Sequence, residues 1–151
     1  MITITDDMAY AIDFGTSNSL LAVCNSNNEY EVLDLDTDNS DPKIFKTLIF
    51  TPSQKEWFFG ANALNQYVEF SGEGRFFRSI KKFLHEENFS GNIIHNKQYS
   101  LSDIIATFLR EMKKRADQIV GRGITKLMLG RPASYSDSDQ KDKLAEDRMR
   151  T

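Results

Sequence analysis

The stretch AIDFGTSNS near the start of the chain carries residue types that bind phosphate groups. An apolar run ends at Asp13, and Gly15, Thr16, Ser17 and Asn18 then form a small polar turn before the next apolar run. Glycine permits close approach to the backbone, consecutive N–H groups of a turn create an anion-binding concavity, and hydroxyls add donors. The same residues are also common in plain turns. The residue types therefore allow a nucleotide-phosphate loop and an ordinary hairpin alike.

One charged side chain could complete such a site. Asp13 ends the strand beside the turn and could hold a magnesium ion through water, because magnesium prefers oxygen ligands and keeps several waters. Lys81, taken alone, fits an ordinary solvated lysine, since other basic residues crowd it in the sequence. His85 and His95 lack neighbours with metal-site spacing and are expected at the surface.

Alternating apolar residues predict three strands at the start of the chain, joined as an antiparallel meander. Their predicted ranges are Met8 to Phe14, Ser19 to Cys24 and Tyr30 to Leu35. The segment DTDNSDPK cannot pack apolar surface and indicates a boundary near Asp38. After it we expect two strand-like runs, KTLIFTPS and WFFG, and a helix from Ala61 to Phe70. The basic and aromatic stretch RFFRSIKKFL gives no clear secondary-structure signal.

The clearest element is a helix from Leu101 to Val120, in which apolar residues recur every three or four positions on one face. Ser100 or Ser102 can cap its start, and Gly121 or Gly123 can end it. This helix is expected to cover an apolar surface of the sheet.

A strand from Thr125 to Leu129 is predicted directly after the helix, which gives an α-then-β unit. The charged run DSDQKDKLAEDRMRT then opens with capping residues and favours a helix, with no stop signal before Thr151. We therefore expect the chain to be a fragment of a longer parent protein.

The totals of the chain exclude several classes of protein. Its 151 residues are 40% hydrophobic and 27% charged, which is ordinary for a globular domain and gives no indication of a membrane protein. The net charge of -3 removes the broad attraction to phosphate backbones, so nucleic acid is not expected as a partner. The aspartates in MITITDDMAY do not fit a secretory signal, which predicts a cytoplasmic protein. The single cysteine, Cys24, is expected to be a small buried hydrophobe.

Three motifs carry a resemblance to a known family. AIDFGTSNSLLAV resembles the first phosphate-binding hairpin of the actin, sugar-kinase and heat-shock chaperone superfamily. SIKKFL is similar to the catalytic-lysine segment of the seventy-kilodalton heat-shock (DnaK-type) chaperones, and MLGRPASYSDSD to their strand and loop ending in a proline. The helix LSDIIATFLREMKKRADQIVG also resembles its chaperone counterpart. The likeness extends from Tyr10 to about Arg148.

The resemblance implies an α/β fold, namely an incomplete lobe of an actin-like ATPase, which is ribonuclease H-like, with a mixed sheet and flanking helices. Residues 1–37 plus 99–151 would form the main subdomain, and residues 38–98 a smaller inserted subdomain. Matching positions give Asp13 a catalytic role at the water shell of magnesium, and Lys81 a role at the terminal phosphate or the attacking water. The residues that would line the phosphates are Gly15, Thr16, Ser17 and Asn18.

Pro132 matches the proline that relays the nucleotide state towards the peptide-binding part of the chaperones. A family arginine shortly downstream aligns with Gln140, whose neutral amide cannot make the charged bidentate contacts of arginine. Coupling to an orthodox peptide-binding domain is therefore in doubt, and a divergent branch of the family is indicated.

The implied function is the N-terminal nucleotide-binding lobe of a chaperone-like ATPase, with ATP or ADP and Mg²⁺ bound in a two-lobe cleft. The sequence contains no second phosphate loop of the Gly-Gly type, so the chain alone is expected to be inactive as an ATPase. Partners reached through other parts of the parent would be unfolded polypeptide or co-chaperones. Alternatives are an actin-like cytoskeletal filament protein, a non-hydrolysing nucleotide-binding regulatory module and, less favoured, a sugar kinase.

Overall fold

This computed structural model describes residues 2–89, 91–130 and 136–150, which form three α-helices, ten β-strands and a short 3₁₀ turn. The helices are α1 (Ala61–Glu69), α2 (Leu101–Val120) and α3 (Asp139–Arg150), and the 3₁₀ turn covers Ile80–Phe83. The strands are β1 (Met8–Phe14), β2 (Asn18–Asn25), β3 (Tyr30–Val32), β4 (Phe45–Lys46), β5 (Leu48–Ser53), β6 (Glu56–Phe59), β7 (Arg75–Arg78), β8 (Gly91–Ile94), β9 (Lys97–Ser100) and β10 (Lys126–Gly130). The α/β class with a mixed sheet is confirmed, and it is compatible with an incomplete lobe.

The first sheet has the order β10-β1-β2-β3, and β4 also pairs with β2. The antiparallel pairing of β1 with β2 and of β2 with β3 confirms the predicted meander, while β10 lies parallel to β1. The third strand ends at Val32 and does not reach Leu35 as predicted. The reason is local, because Leu35 N donates to Leu33 O at 3.0 Å and so turns the chain away from the ladder. Both leucines are buried in the core.

Helix α2 begins and ends where sequence signals predicted. Ser100 accepts a hydrogen bond from Asp103 N, and the Asp103 carboxylate accepts one from Ser100 N, which is a capping box. Ser102 does not cap the helix and instead donates to Arg148 O of α3 at 2.8 Å. Gly121 ends the helix with φ 83, a value that glycine adopts without steric cost. In the part of the chain that the structure describes, no helix is long and apolar enough to cross a membrane.

The core lies between α2 and one face of the first sheet. Phe108 of α2 is fully buried, and its ring centroid lies 5.9 Å from that of Phe14 and 5.1 Å from that of Phe45. Burial of one such phenylalanine side chain contributes about 1.5–3 kcal/mol. Because side chains alternate across a strand, Tyr10, Ile12 and Phe14 all face this core.

A second sheet with the order β6-β5-β7 packs against α1, and β8 and β9 form a separate hairpin. The stretch RFFR, which gave no clear signal, is β7, and the following IKKF is the 3₁₀ turn. The hydrophobic core is continuous from the first sheet into this region through Phe45, Ile49 and Ile80. The division into residues 1–37 plus 99–151 and residues 38–98 stays a prediction.

Strands β8 and β9 form a hairpin around His95, which was expected at the surface. The β8–β9 turn consists of His95 and Asn96, with φ values of 49 and 65. Two consecutive positive φ values suit a tight hairpin, because such a turn matches the twist of the strands. His95 Nε2 lies 3.0 Å from Thr51 Oγ1, so His95 is half-buried against β5 and not a surface histidine. His85 is half-buried as well. The turn lacks the glycine that usually marks such a hairpin in a sequence.

Candidate functional site

The turn between β1 and β2 is held in a fixed shape by hydrogen bonds. Thr47 Oγ1 donates to Gly15 O at 3.0 Å, and Thr47 N donates to Ser17 O at 2.9 Å. Ser19 Oγ lies 2.8 Å from Thr47 Oγ1 and accepts from Gly15 N at 3.3 Å. A Cβ at position 15 would lie 2.0 Å from Asn18 O, so only glycine fits there. The predicted phosphate loop is therefore a tight and pre-organised turn.

This turn borders an open cavity of about 570 Å³, a volume in the range of small-molecule sites. Its wall combines three of the predicted loop residues with three cationic side chains. The described residues that line it include no carboxylate, and they are Thr16, Ser17, Asn18, Lys46, Thr47, Leu48, Arg78, Ser79 and Lys82. Cations together with hydroxyl and backbone N–H donors suit a phosphate group.

The three cations come from different elements and were not among the predicted site residues. Lys46 lies on β4, where its Cα is paired with that of Asn18. Arg78 ends β7, and Lys82 lies in the 3₁₀ turn. Arg78 and Lys82 are close to Lys81 in the sequence, so the basic stretch RFFRSIKKFL could have indicated them as site residues. Lys46 had no local signal, because only strand pairing brings it to the loop.

Lys81 is brought to the end of β1. Its Nζ donates to Phe14 O at 2.6 Å and lies 5.9 Å from the centroid of the Phe14 ring. The flanking Ile80 and Leu84 are buried in the core and anchor this segment. Arg78 and Lys82 of this segment line the 570 Å³ cavity. Lys81 instead contacts the end of β1 next to Asp13. Lys81 thus lies beside the predicted hairpin and contacts it through the backbone carbonyl of Phe14.

Asp13 is exposed at the end of β1, on the sheet face opposite the core. The Cα atoms paired with its own are those of Leu20 and Gly130. It borders a shallow cavity of about 430 Å³ with Ala11 and Met128. Among the described residues, no group of three or more His, Cys, Asp or Glu side chains could hold a metal ion. One carboxylate still fits a magnesium ion that keeps water and phosphate ligands, so Asp13 suits an ion that arrives with a nucleotide.

Two further predicted positions lie near the end of the chain. Pro132, the expected coupling residue, lies outside the described residues. Gln140 is exposed in the first turn of α3. The structure therefore describes all the predicted site residues except Pro132.

Comparison with known proteins gives a distant match. The chain is 25% identical over 126 residues to the chaperone protein DnaK from two strains of Halobacterium salinarum. The match covers 83% of this chain, and the chain spans 19% of the length of these relatives. No family model matches the chain. The match agrees with the resemblance carried by the three sequence motifs and supports a DnaK-like segment.

Proposed function

We propose that this chain provides the phosphate-binding part of a DnaK-like chaperone ATPase that binds Mg-ATP in a cleft between two lobes. The observation that carries this proposal is the 2.6 Å contact between Lys81 Nζ and Phe14 O. It joins a lysine to the strand end that carries Asp13, although the two contacting residues are 67 positions apart in the chain. Distant similarity to DnaK over most of the chain supports the same proposal.

The turn would hold the phosphates of the nucleotide. Thr16 and Ser17 offer hydroxyl donors, and the hydrogen bonds from Thr47 hold the backbone so that its N–H groups need little reorganisation on binding. Lys46, Arg78 and Lys82 give the adjoining cavity a positive potential, which attracts phosphate oxygens. We assign phosphate recognition to this turn and its cationic border.

Asp13 and Lys81 would serve the reacting end of the nucleotide. Asp13 would orient water in the shell of the magnesium ion, which itself supplies charge neutralisation for phosphoryl transfer. The Lys81 ammonium would approach the terminal phosphate or the attacking water and offset the charge that develops there. The sequence has no second Gly-Gly phosphate loop, so we propose negligible ATP turnover by the 151-residue chain alone.

Nucleotide binding by the purified chain tests this proposal. Fluorescently labelled ADP is titrated with protein in the presence and absence of Mg²⁺, and unlabelled ATP is used as competitor. We expect saturable binding that Mg²⁺ strengthens. Lys81→Ala should weaken competition by ATP by about tenfold or more and change the binding of labelled ADP less, because Lys81 is assigned to the terminal phosphate that ADP lacks and a hydrogen bond to a charged group contributes about 1.5–3 kcal/mol.

Lys55→Ala is the matched control, because Lys55 is exposed in the β5–β6 turn and borders neither the loop nor the cavity. It should bind as the parent chain does. Absence of saturable binding at millimolar nucleotide, with the fold intact by circular dichroism, would refute the proposed phosphate site. Sustained Mg²⁺-dependent turnover that Lys81→Ala abolishes would instead refute the proposed inactivity of the chain alone.

A further inference from the structure

A basic groove lies at the far end of α2 from the helix cap, and it shares no lining residue with the cavity beside the turn. It has a volume of about 480 Å³ and is wide open to solvent. Its lining residues are Arg110, Lys113, Lys114, Asp117, Gln118, Gly121, Arg122 and Gly123. Four cations and one carboxylate give the groove a formal charge of +3, obtained as four minus one. The whole chain carries -3, so the groove is more positive than the chain as a whole.

The single carboxylate of the groove is fully engaged. Asp117 Oδ1 accepts from the Tyr10 hydroxyl at 2.8 Å and from Ile124 N at 3.2 Å, and Oδ2 accepts from Lys113 Nζ at 2.6 Å. Burial alone would raise the pKa of Asp117, but these hydrogen bonds, led by that of Lys113, hold it below the ordinary carboxyl value. Asp117 therefore organises the floor of the groove and leaves the outer cations to face solvent.

The helix dipole does not account for the remaining cations. The last turn of α2 contains no basic residue, and the stabilisation of cations by a helix dipole falls off within that turn. Lys114 Nζ lies 3.9 Å from Glu111, a carboxylate that already accepts from Arg115 Nε at 2.9 Å. Arg110 and Lys114 are exposed. These two cations therefore present their charge to solvent on one side of the helix.

The turn after α2 leaves room for a partner to approach. Gly121 has a positive φ and needs to be glycine, but Gly123 does not have one. A Cβ at Gly123 would meet only Asp117 Oδ2, at 3.9 Å, which is an ordinary contact. Neither backbone conformation nor packing therefore requires glycine at position 123. The two glycines expose the backbone on both sides of Arg122, whose guanidinium contacts the carbonyls of Thr5 and Asp6.

We propose that this groove is a docking site for an acidic peptide segment of a partner protein. From Arg110 to Val120 the helix rises about 15 Å, which an extended peptide of about five residues spans. Several separated cations along that length match several carboxylates along a peptide better than a single phosphate group. Nucleic acid fits less well, because a polyanion that extends past the groove meets a chain of net negative charge. This inference does not depend on the proposed nucleotide function.

Fluorescence anisotropy of the 151-residue chain with a labelled peptide of alternating aspartate and serine tests the proposal. The same peptide with asparagine in place of aspartate is the probe control, and a single-stranded oligonucleotide and inorganic phosphate are competitors. We expect micromolar binding of the acidic peptide that weakens as salt is raised. The double variant Arg110→Gln with Lys114→Gln should weaken it by about tenfold, since each exposed ion pair contributes up to about 1 kcal/mol.

The matched control is the double variant Lys55→Gln with Lys143→Gln, which removes the same charge from exposed positions outside the groove. It should bind the peptide within about twofold of the parent. Equal losses in the two double variants would refute the groove as the site, as would absence of binding by the parent chain. Tighter binding of the oligonucleotide than of the peptide would overturn the choice of an acidic peptide, and competition by inorganic phosphate at equal concentration would reduce the site to a single anion site.

Discussion

The two faces of the first sheet differ in what covers them, although the same strands supply both. On one face Tyr10, Ile12 and Phe14 are buried under α2. On the other face Asp13 is exposed and Met128 keeps 57% of its surface accessible. The covered face carries the core of the chain, whereas the open face carries the carboxylate that we assign to the nucleotide. Neighbouring residues of a strand point to opposite faces, so the core residues Ile12 and Phe14 flank Asp13, which we assign to the nucleotide.

The largest difference in stability is expected between truncation of a side chain that packs on the covered face and truncation of one on the open face. Phe108→Ala removes the ring that packs on Phe14 and Phe45, and it should destabilise the chain by about 3–5 kcal/mol. Met128→Ala on the open face should change stability by about 0.5 kcal/mol or less. Urea unfolding followed by circular dichroism measures both. Similar losses for the two variants would mean that the open face is packed in solution.

The Tyr10–Asp117 hydrogen bond links the covered face to α2. Its loss should have an intermediate effect on stability, and that effect should depend on pH. Asp117→Asn should cost about 1–3 kcal/mol at pH 7, because Tyr10 is buried and loses a charged acceptor. The folded-state pKa of Asp117 lies below that of the unfolded chain, so its stabilisation is present above about pH 4 and is lost as pH falls through the folded value. Burial, followed by the bond to Asp117, raises the pKa of Tyr10.

Unfolding curves of the parent and the Asp117→Asn variant at several pH values check this sign. The difference in unfolding free energy should be constant near neutrality and shrink below about pH 4. A difference that grows towards acid pH would contradict the assigned role of Asp117.

Loss of the N-terminal cap of α2, the helix that covers the sheet, should reduce stability by a smaller amount. Ser100→Ala breaks the capping box with Asp103 and should cost about 1 kcal/mol. Ser100→Gly is the comparison, since glycine at an N-cap costs only a few tenths of a kcal/mol. Thermal unfolding of both variants separates capping from a general loss of side-chain packing. Equal stability of the alanine variant and the parent would show that the cap does not limit the stability of the covered face.

The smallest effect is expected at Cys24, which shares the open face with Ala9 because their Cα atoms are paired. Cys24 is half-buried and not fully buried as the sequence suggested. Cys24→Ser should change stability by about 0.5 kcal/mol or less. Val23→Thr, one residue earlier on the covered face, should cost about 1–3 kcal/mol, because it buries a hydroxyl. Chemical denaturation of this adjacent pair tests the alternation directly.

Much of the fold was predictable where local patterns are strong. The bounds of β1 and α2 agree with the sequence prediction, because alternation, a capping serine and a terminal glycine act within a few residues. The early end of β3 and the His95–Asn96 hairpin were missed, since local hydrogen bonds and packing on β5 decide them. These contacts leave no periodic signal in the sequence.

The candidate site divides in the same way. Asp13 and the polar turn were visible in the sequence, because strand ends and glycine-rich turns have local signatures. The position of Lys46 beside the turn was not, because it depends on the pairing of β4 with β2. Sequence resemblance pointed to Lys81, and the structure adds its contact with Phe14 O.

The sequence by itself determined the first two strands and the three helices, where α2 begins and ends, and which residues of the first turn can offer donors to a phosphate. Those properties follow from backbone conformation and side-chain periodicity over short distances. Only the tertiary structure decided which face of the sheet is covered, which cations border the turn and how Lys81 reaches β1. Each of these depends on contacts between residues far apart in the chain, such as Phe14 with Phe108. Such contacts form only when the segments pack together, because burial of apolar surface between them determines their arrangement.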